Sequence, residues 1–547
     1  MSSPPFSSIE KGHKGEKHNI IEPQYVPNNV SGDLNILQTA RCGTLCAAIT
    51  EGTTDPRSKP AIVIYICAAT AFMCNYSSGY DGSLMAAING MPFYQQQFNQ
   101  GKLSASTGII FSIFTVGNIA GTLFAGLLCD RFGRRAGMFA GCIIVIVGSA
   151  IISCSTSQAQ FIGGRFVLGM GTSIANIGAP IYIVEISPPQ WRGRLTSLYG
   201  TGWNGGAIIA AAITLATSRI QSEWSWRIPL ILQAVPATIV VLIVWLLPES
   251  PRWLCANGRN EEAVAFIKKY HANNDPNHPL LKLQIEEFEG NIRKDGSDKR
   301  WWDFKALIAT REARWRMLMV VLIGIFSMMS GGGLGYYNLS IYQALGFDKQ
   351  MQYNMNLIGA CMYSIASWVA VSLADKMSRR SVLVIGTFFC ACTLGANAAF
   401  SAKWASYGDG PKDLIVARAA AAFFFLFGIV FSFTYTPLIS LYLNECLETT
   451  TRAKGGSVGV FIIYGITLVN LFVIPIAFDR IGWKYILPFV AWDLLETIIW
   501  YFLCVETAGR TLEELHEIFC APNPVKASIE KKKLGIARTG AVMKVQD

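Results

Sequence analysis

The chain has 547 residues, 52% of them apolar and only 15% charged, with 50 Gly and 31 Phe. An ordinary soluble protein carries roughly a quarter charged residues, so this one has too little polar surface to face water alone. The composition excludes a secreted disulfide scaffold, a nucleic-acid binder and a soluble enzyme. It leaves a polytopic membrane protein, because most windows of about 20 residues between 61 and 504 are apolar enough to cross a bilayer.

Residues 1–60 are polar, with His13, Lys14 and Lys17, and lack the apolar core of a cleavable signal peptide. They read as a cytoplasmic tail, in which the sequon at Asn29 to Ser31 would stay unglycosylated. Twelve spans follow, near 61–88, 104–128, 137–154, 160–186, 194–217, 227–247, 316–345, 352–374, 381–400, 413–443, 456–478 and 485–504. With the N-terminus placed in the cytoplasm, 36 of the 46 Lys and Arg fall on the cytoplasmic side and eight on the other. Arg165 and Arg418 fall within spans. The formal charge of +10 is therefore a topology signal, with both termini inside. The 14 Cys are scattered, mostly within spans, and read as small apolar fillers.

The chain is written twice. Asp130-Arg131-Phe132-Gly133-Arg134-Arg135 after the second span returns as Asp375-Lys376-Met377-Ser378-Arg379-Arg380 after the eighth. Glu185 with Arg192-Gly193 returns as Glu445 with Arg452, and Glu249 after the sixth span returns as Glu506 after the twelfth. One six-helix unit thus recurs with the same inside-outside sense, which suits two bundles rocking about a central site. The expected fold is an all-α membrane protein of 12 transmembrane helices in two six-helix bundles. The domains are an N-terminal tail (1–60), a first bundle (61–248), a cytoplasmic helical insert bridging the halves (249–315), a second bundle (316–505) and a C-terminal tail (506–547). Helical stretches are expected at Glu261 to Tyr270, Leu280 to Ile292 and Thr511 to Phe519.

Arg grips carboxylates bidentately, so acids and bases recurring at fixed spacing predict charge networks at the cytoplasmic face. One would hold Asp130, Arg134, Glu185, Arg192 and Glu249, and the other Asp375, Arg379, Glu445, Arg452 and Glu506. They would latch the inner face in one state and part in the other. Simple positive flanking with incidental pairs is the plainer reading.

Gly126 to Arg135, Gly164-Arg165, Glu185 with Arg192-Gly193, Pro248 to Leu254 and Glu506 to Glu514 together resemble the sugar porter family of the major facilitator superfamily, over roughly residues 60 to 520. Tyr435-Thr436-Pro437-Leu438, Arg452-Ala453-Lys454-Gly455 and Ile481 to Tyr485 resemble its fungal lactose permease and cellodextrin transporter branch. The resemblance implies a major facilitator fold and a plasma-membrane carrier moving a sugar, usually with a proton. It also implies that Asp81 in the first span pairs functionally with Arg165 in the fourth. On residues alone, intramembrane ionisable groups are costly, and each is a functional candidate. Asp81 capping a helix near the surface is the competing reading.

Sugars are held by amides that give and accept hydrogen bonds and by an aromatic face. The family pattern places amides in the fifth and seventh spans, where this chain has Gly200, Met328 and the Gly331-Gly332-Gly333 run. The candidates that remain are Trp203, Asn204, Tyr336, Tyr337, Asn338 and Asn470. Three readings stay open: a proton-coupled carrier of a sugar or polyol, a carrier of a cyclic acid or secondary metabolite, and a non-transporting sensor. The five His lie in tails or the insert, and no nucleotide loop or metal spacing stands out. No cofactor or metal is expected. The expected partners are a small-molecule substrate, protons and the lipid bilayer, with no nucleic acid, and the chain is expected to be a monomer.

Overall fold

The computed structural model describes residues 57–98, 105–272, 275, 281, 284, 304–373, 376–408, 413–448, 451–508, 510, 512–529, 534–536 and 542–544. Ten helical stretches among them are long and apolar enough to cross a membrane, and one, Lys454–Leu503, contains two helices. The more polar Pro189–Thr217 completes a set of twelve. The first six spans are Lys59–Asn89, Ala105–Phe132, Arg134–Ser153, Gln158–Ile186, Pro189–Thr217 and Trp224–Leu246. The second six are Arg311–Ala344, Lys349–Leu373, Arg379–Ser406, Leu414–Cys446, Arg452–Ile481 and Ile486–Leu503. With an even number of spans, both tails leave from one face, called here the tail face; the opposite one is the far face.

Two spans are broken, for different reasons. In the sixth, Pro236 has no N–H for the Leu232 carbonyl, and the helix interrupts at Gln233 between Trp224–Leu232 and Ala234–Ile243. In the seventh, Arg311–Met329 ends at Ser330, and Gly331 turns to φ +85°. A 3-10 turn, Gly332–Tyr337, then leads into Asn338–Ala344. A side chain at 331 would be strained in that left-handed conformation, so the glycine run is a joint built into the span. Elsewhere helices touch backbone to backbone: a Cβ on Gly206 would stand 2.0 Å from the Tyr76 carbonyl oxygen.

The halves meet unequally. Toward the far face one apolar cluster takes Tyr80, Leu84, Ile88 and Met91 from the first half and Leu334, Tyr337, Leu339 and Tyr353 from the second. Tyr353 donates across the junction to the Ala87 carbonyl at 3.0 Å, and the Phe111 and Tyr337 rings stand 5.1 Å apart. Toward the tail face each half keeps its own cluster. The far side is sealed, and the tail-side cores are separate.

The beginning of the insert docks on the first half, while Leu307 near its end is buried in the second half's tail-side cluster. Asn260–Tyr270 buries Phe266 and Ile267 in the first half's tail-side cluster, and His271 Nε2 meets the Ile186 carbonyl at 3.0 Å. Most of the helix expected at 280–292 lies outside the described residues. The tail helix Leu512–Cys520 buries Leu515, Ile518 and Phe519 against the second half. A short antiparallel ribbon, Leu534–Ile536 with Val542–Lys544, lies beyond it, and its pairing was not foreseen from the pattern.

Candidate functional site

Asp81 lies two turns inside the end of the first span and Arg165 two turns inside the start of the fourth. Each is 2% exposed, and Arg165 Nη1 donates to Asp81 Oδ1 at 2.5 Å. Gln233, freed by the break in the sixth span, donates through Nε2 to the same oxygen at 2.7 Å. The Phe114 ring lies 4.6 Å beneath the guanidinium. The alternative of a surface helix cap at Asp81 does not survive this burial. Charges so far from water persist only when paired. The shared carboxylate oxygen ties the first, fourth and sixth spans to one charged pair.

The ligand candidates divide. Tyr336 stands within electrostatic reach of Asp81, Arg165 and Tyr464, where the two halves meet. The Trp203 indole lies against Gly82, the residue after Asp81, and Trp203 is 38% exposed. Asn204 is 3% exposed, and its Nδ2 has no partner among the described residues. Trp203 and Tyr336 thus stand near the charged cluster, with Asn204 next to Trp203 in the fifth span. The other three are engaged within the protein. Tyr337 donates to the Leu471 carbonyl at 2.7 Å. Asn338 donates to Asn356 at 2.7 Å while its oxygen accepts the Leu339 N–H. Asn470 donates to the Met328 carbonyl at 2.9 Å, bracing the seventh span just before its joint.

The charge networks form, with altered partners. Arg134 grips Glu185 through Nε at 2.9 Å and Nη2 at 3.2 Å, and approaches Asp130 at 3.4 Å. Glu249 takes Arg135 at 3.2 Å rather than Arg134. Arg192 lies within electrostatic reach of His271, while Glu185 is held by Arg134 and Ser250. In the second half Arg379 grips Glu445 at 3.1 and 3.4 Å, and Thr507 donates to the same carboxylate at 2.6 Å. Glu506 accepts the backbone N–H groups of Arg379 and Arg380 at 3.0 and 3.2 Å, capping the ninth span. Asp375 and the Arg452 side chain lie outside the described residues. The ion pairs between described residues lie within one half or within the insert.

Sequence reasoning missed Gln233, Asn176 and an acid pair, Asp493 and Glu496, in the twelfth span. Asn176 accepts from Tyr199 at 3.1 Å and bonds Ser78, knitting the first, fourth and fifth spans beside the cluster. The signal was available: each is a polar residue inside an apolar run, where an unpaired amide or acid is unfavourable.

The sugar (and other) transporter family model matches residues 63–519. The high-affinity glucose transporter of Kluyveromyces lactis is 27% identical over 491 residues, covering 86% of this chain and 87% of that protein. The quinate permease of Neurospora terricola is 25% identical over 501 residues, covering 86% and 91%. The structure resembles that of the xylose transporter XylE from E. coli in a partially occluded inward-open conformation, with a TM-score of 0.68. That likeness, at 17% identity over 82% of this chain and 99% of the other, is one of fold.

Proposed function

The chain belongs to the sugar (and other) transporter family of multi-pass membrane carriers, and from that premise we propose that it is a proton-coupled symporter moving a sugar or polyol by alternating access. The observation that carries the reading is the Asp81–Arg165 pair, buried, shared with Gln233 and within electrostatic reach of Tyr336. Protonation of Asp81 frees Arg165, and cargo held by Asn204 and faced by Trp203 and Tyr336 favours the rearrangement that opens the other side. The glucose-transporter relative and the solved proton:xylose symporter support a sugar and a proton as the coupled pair. The roles of the gate residues, the five-part domain division, the plasma membrane and the cytoplasmic tail face belong to the same proposal, as does the monomeric state. The residues resembling fungal lactose permeases and cellodextrin transporters make disaccharides the first cargo to try.

A second reading is a polyhydroxylated cyclic acid. It is supported by the similarity to a quinate permease and by Met328 and glycines where the family pattern has amides.

Uptake into proteoliposomes after a pH jump tests both. The panel holds hexoses, pentoses, disaccharides, polyols and cyclic acids, with Asp81→Asn as control. Gradient-driven accumulation of one sugar that needs Asp81 supports the first reading, and accumulation of a cyclic acid supports the second. A compound that raises the melting temperature without being taken up points to a sensor.

A further inference from the structure

The twelfth span carries two acids that the symport reading leaves unused. Asp493 and Glu496 stand one turn apart, each 0% exposed. Among the described residues no Arg, Lys or His bonds either carboxylate; hydroxyls do. Ser330 Oγ lies 2.6 Å from Asp493 Oδ1 and 3.0 Å from Glu496 Oε2. Tyr435 donates to Glu496 Oε2 at 3.2 Å, and the Thr387 hydroxyl stands 2.8 Å from the Tyr435 oxygen. The titratable groups facing the pair from neighbouring helices are the Tyr435 phenol and the Cys390 thiol.

The hydrogens can be counted. Ser330 has one hydroxyl hydrogen and touches two carboxylates. Tyr435 spends its hydrogen on Glu496 and can accept that of Thr387. One short Ser330–carboxylate contact therefore lacks a hydrogen unless a carboxyl supplies it. Electrostatics agrees, since two negative charges one turn apart, out of water and facing no cation, do not persist together. The hydrogen that completes the count sits on an oxygen facing Ser330, Asp493 Oδ1 or Glu496 Oε2.

Ser330 is also the residue that ends the first helix of the seventh span, directly before the Gly331 joint. Two residues earlier, the Met328 carbonyl holds Asn470. The acids thus touch the hinge itself.

We propose that Asp493 and Glu496 form a second proton-binding site, in the second half, whose protonation clasps the joint of the seventh span. A proton from the aqueous phase adds to one carboxylate oxygen, taking the pair from two negative charges to one. Ser330 is then held by both acids. Loss of that proton sets two anions on a single hydroxyl hydrogen, and Ser330 swings off with the joint behind it. The site depends on neither the cargo nor Asp81; only its consequence for movement rests on the carrier reading.

Infrared difference spectroscopy of the purified protein in lipid tests the site without transport. The wild-type spectrum minus that of Asp493→Asn/Glu496→Gln at neutral pH is expected to contain a protonated-carboxyl stretch. Each single variant is expected to lose the same band, because an introduced amide brings its own hydrogens and lets the remaining acid ionise. If the double variant does not fold, the singles decide. Persistence of the full band in both singles, or its absence from the wild type, overturns the proposal. The clasp has its own readout, the pH dependence of substrate exchange. Glu496→Gln is expected to flatten it, and a profile identical to wild type overturns the link to the joint while leaving the infrared result standing.

Discussion

Gln233 donates to Asp81 Oδ1 at 2.7 Å, the same oxygen that Arg165 holds at 2.5 Å, so one carboxylate oxygen ties the first, fourth and sixth spans together. A hydrogen bond to a charged group contributes about 1.5–3 kcal/mol. Gln233→Leu removes one of the two donors to the ionised form and leaves the guanidinium in place. The pH of half-maximal uptake is expected to move upward by about one unit, since one unit corresponds to roughly 1.4 kcal/mol. Initial uptake rates across a pH series measure it. An unchanged profile would mean that Gln233 is only packing at the helix break.

Asp81→Asn goes further. The amide keeps the shape and can still meet Arg165, yet it cannot bind and release a proton at accessible pH. Accumulation against a substrate gradient is expected to disappear, while exchange of labelled for unlabelled substrate across the membrane continues. Unchanged uphill uptake in this variant would remove Asp81 from the coupling mechanism.

The two halves and their repeat were legible because transmembrane helices announce themselves by length and apolarity, and the charged motifs mark their ends. The ends of the first span, Lys59 and Asn89, differ from the expected 61–88 by only a residue or two. Partner choice was not legible. Arg134 and Arg135 are neighbours in sequence, and only the turn of the third span assigns Glu185 to one and Glu249 to the other. Nor could motif spacing reveal that Tyr337 and Asn338 would spend their polar groups on Leu471 and Asn356, which is a matter of tertiary approach. Gln233 carries no motif around it, although a buried amide in an apolar run is the same kind of signal as Asn204 or Asn470.

The related charge networks should not be equally sensitive. Glu185 leaves 6% of its side chain exposed against 24% for Glu445, so water can replace a lost partner more readily in the second half. Removing one partner of a buried pair costs about 3–5 kcal/mol, and of an exposed one about 1 or less. Arg134→Gln is therefore expected to lower the melting temperature more than Arg379→Gln, with the difference read by thermal unfolding in detergent. Equal losses would show that exposure does not govern these pairs.

Close helix contact makes a third demand on particular residues. A Cβ on Gly79 would stand 1.7 Å from the Trp203 carbonyl oxygen, backbone that cannot rotate aside. Gly79→Ala must push the first and fifth spans apart, and overpacking of this kind costs about 1–3 kcal/mol. Gly163, with open space around its Cβ position, is the control: Gly163→Ala is expected to leave the melting temperature unchanged or higher. Comparable effects at both positions would show that the close approach is not what selects glycine.

His271 joins the insert to the first half through Nε2 and the Ile186 carbonyl, its Nδ1 meeting the Gln284 carboxamide within the insert, and burial lowers its pKa from the ordinary 6.5 against the opposing pull of its hydrogen bonds. The folded protein thus holds the ring neutral where the unfolded chain would begin to protonate it. The unfolded state binds more protons in that window, so stability rises with pH there. The contribution is complete above about pH 6.5 and is lost as pH falls below it toward the lowered folded value. The protection of the amides in Asn260–Tyr270, the intrinsic exchange rate at the same pH divided by the observed one, is expected to fall as the medium is acidified below that point. In His271→Gln, which keeps a hydrogen-bonding side chain but does not titrate there, protection should stay level over the same range. If both proteins lose protection alike, the acid sensitivity of the insert arises elsewhere, with the Arg192 guanidinium near the ring the next group to change.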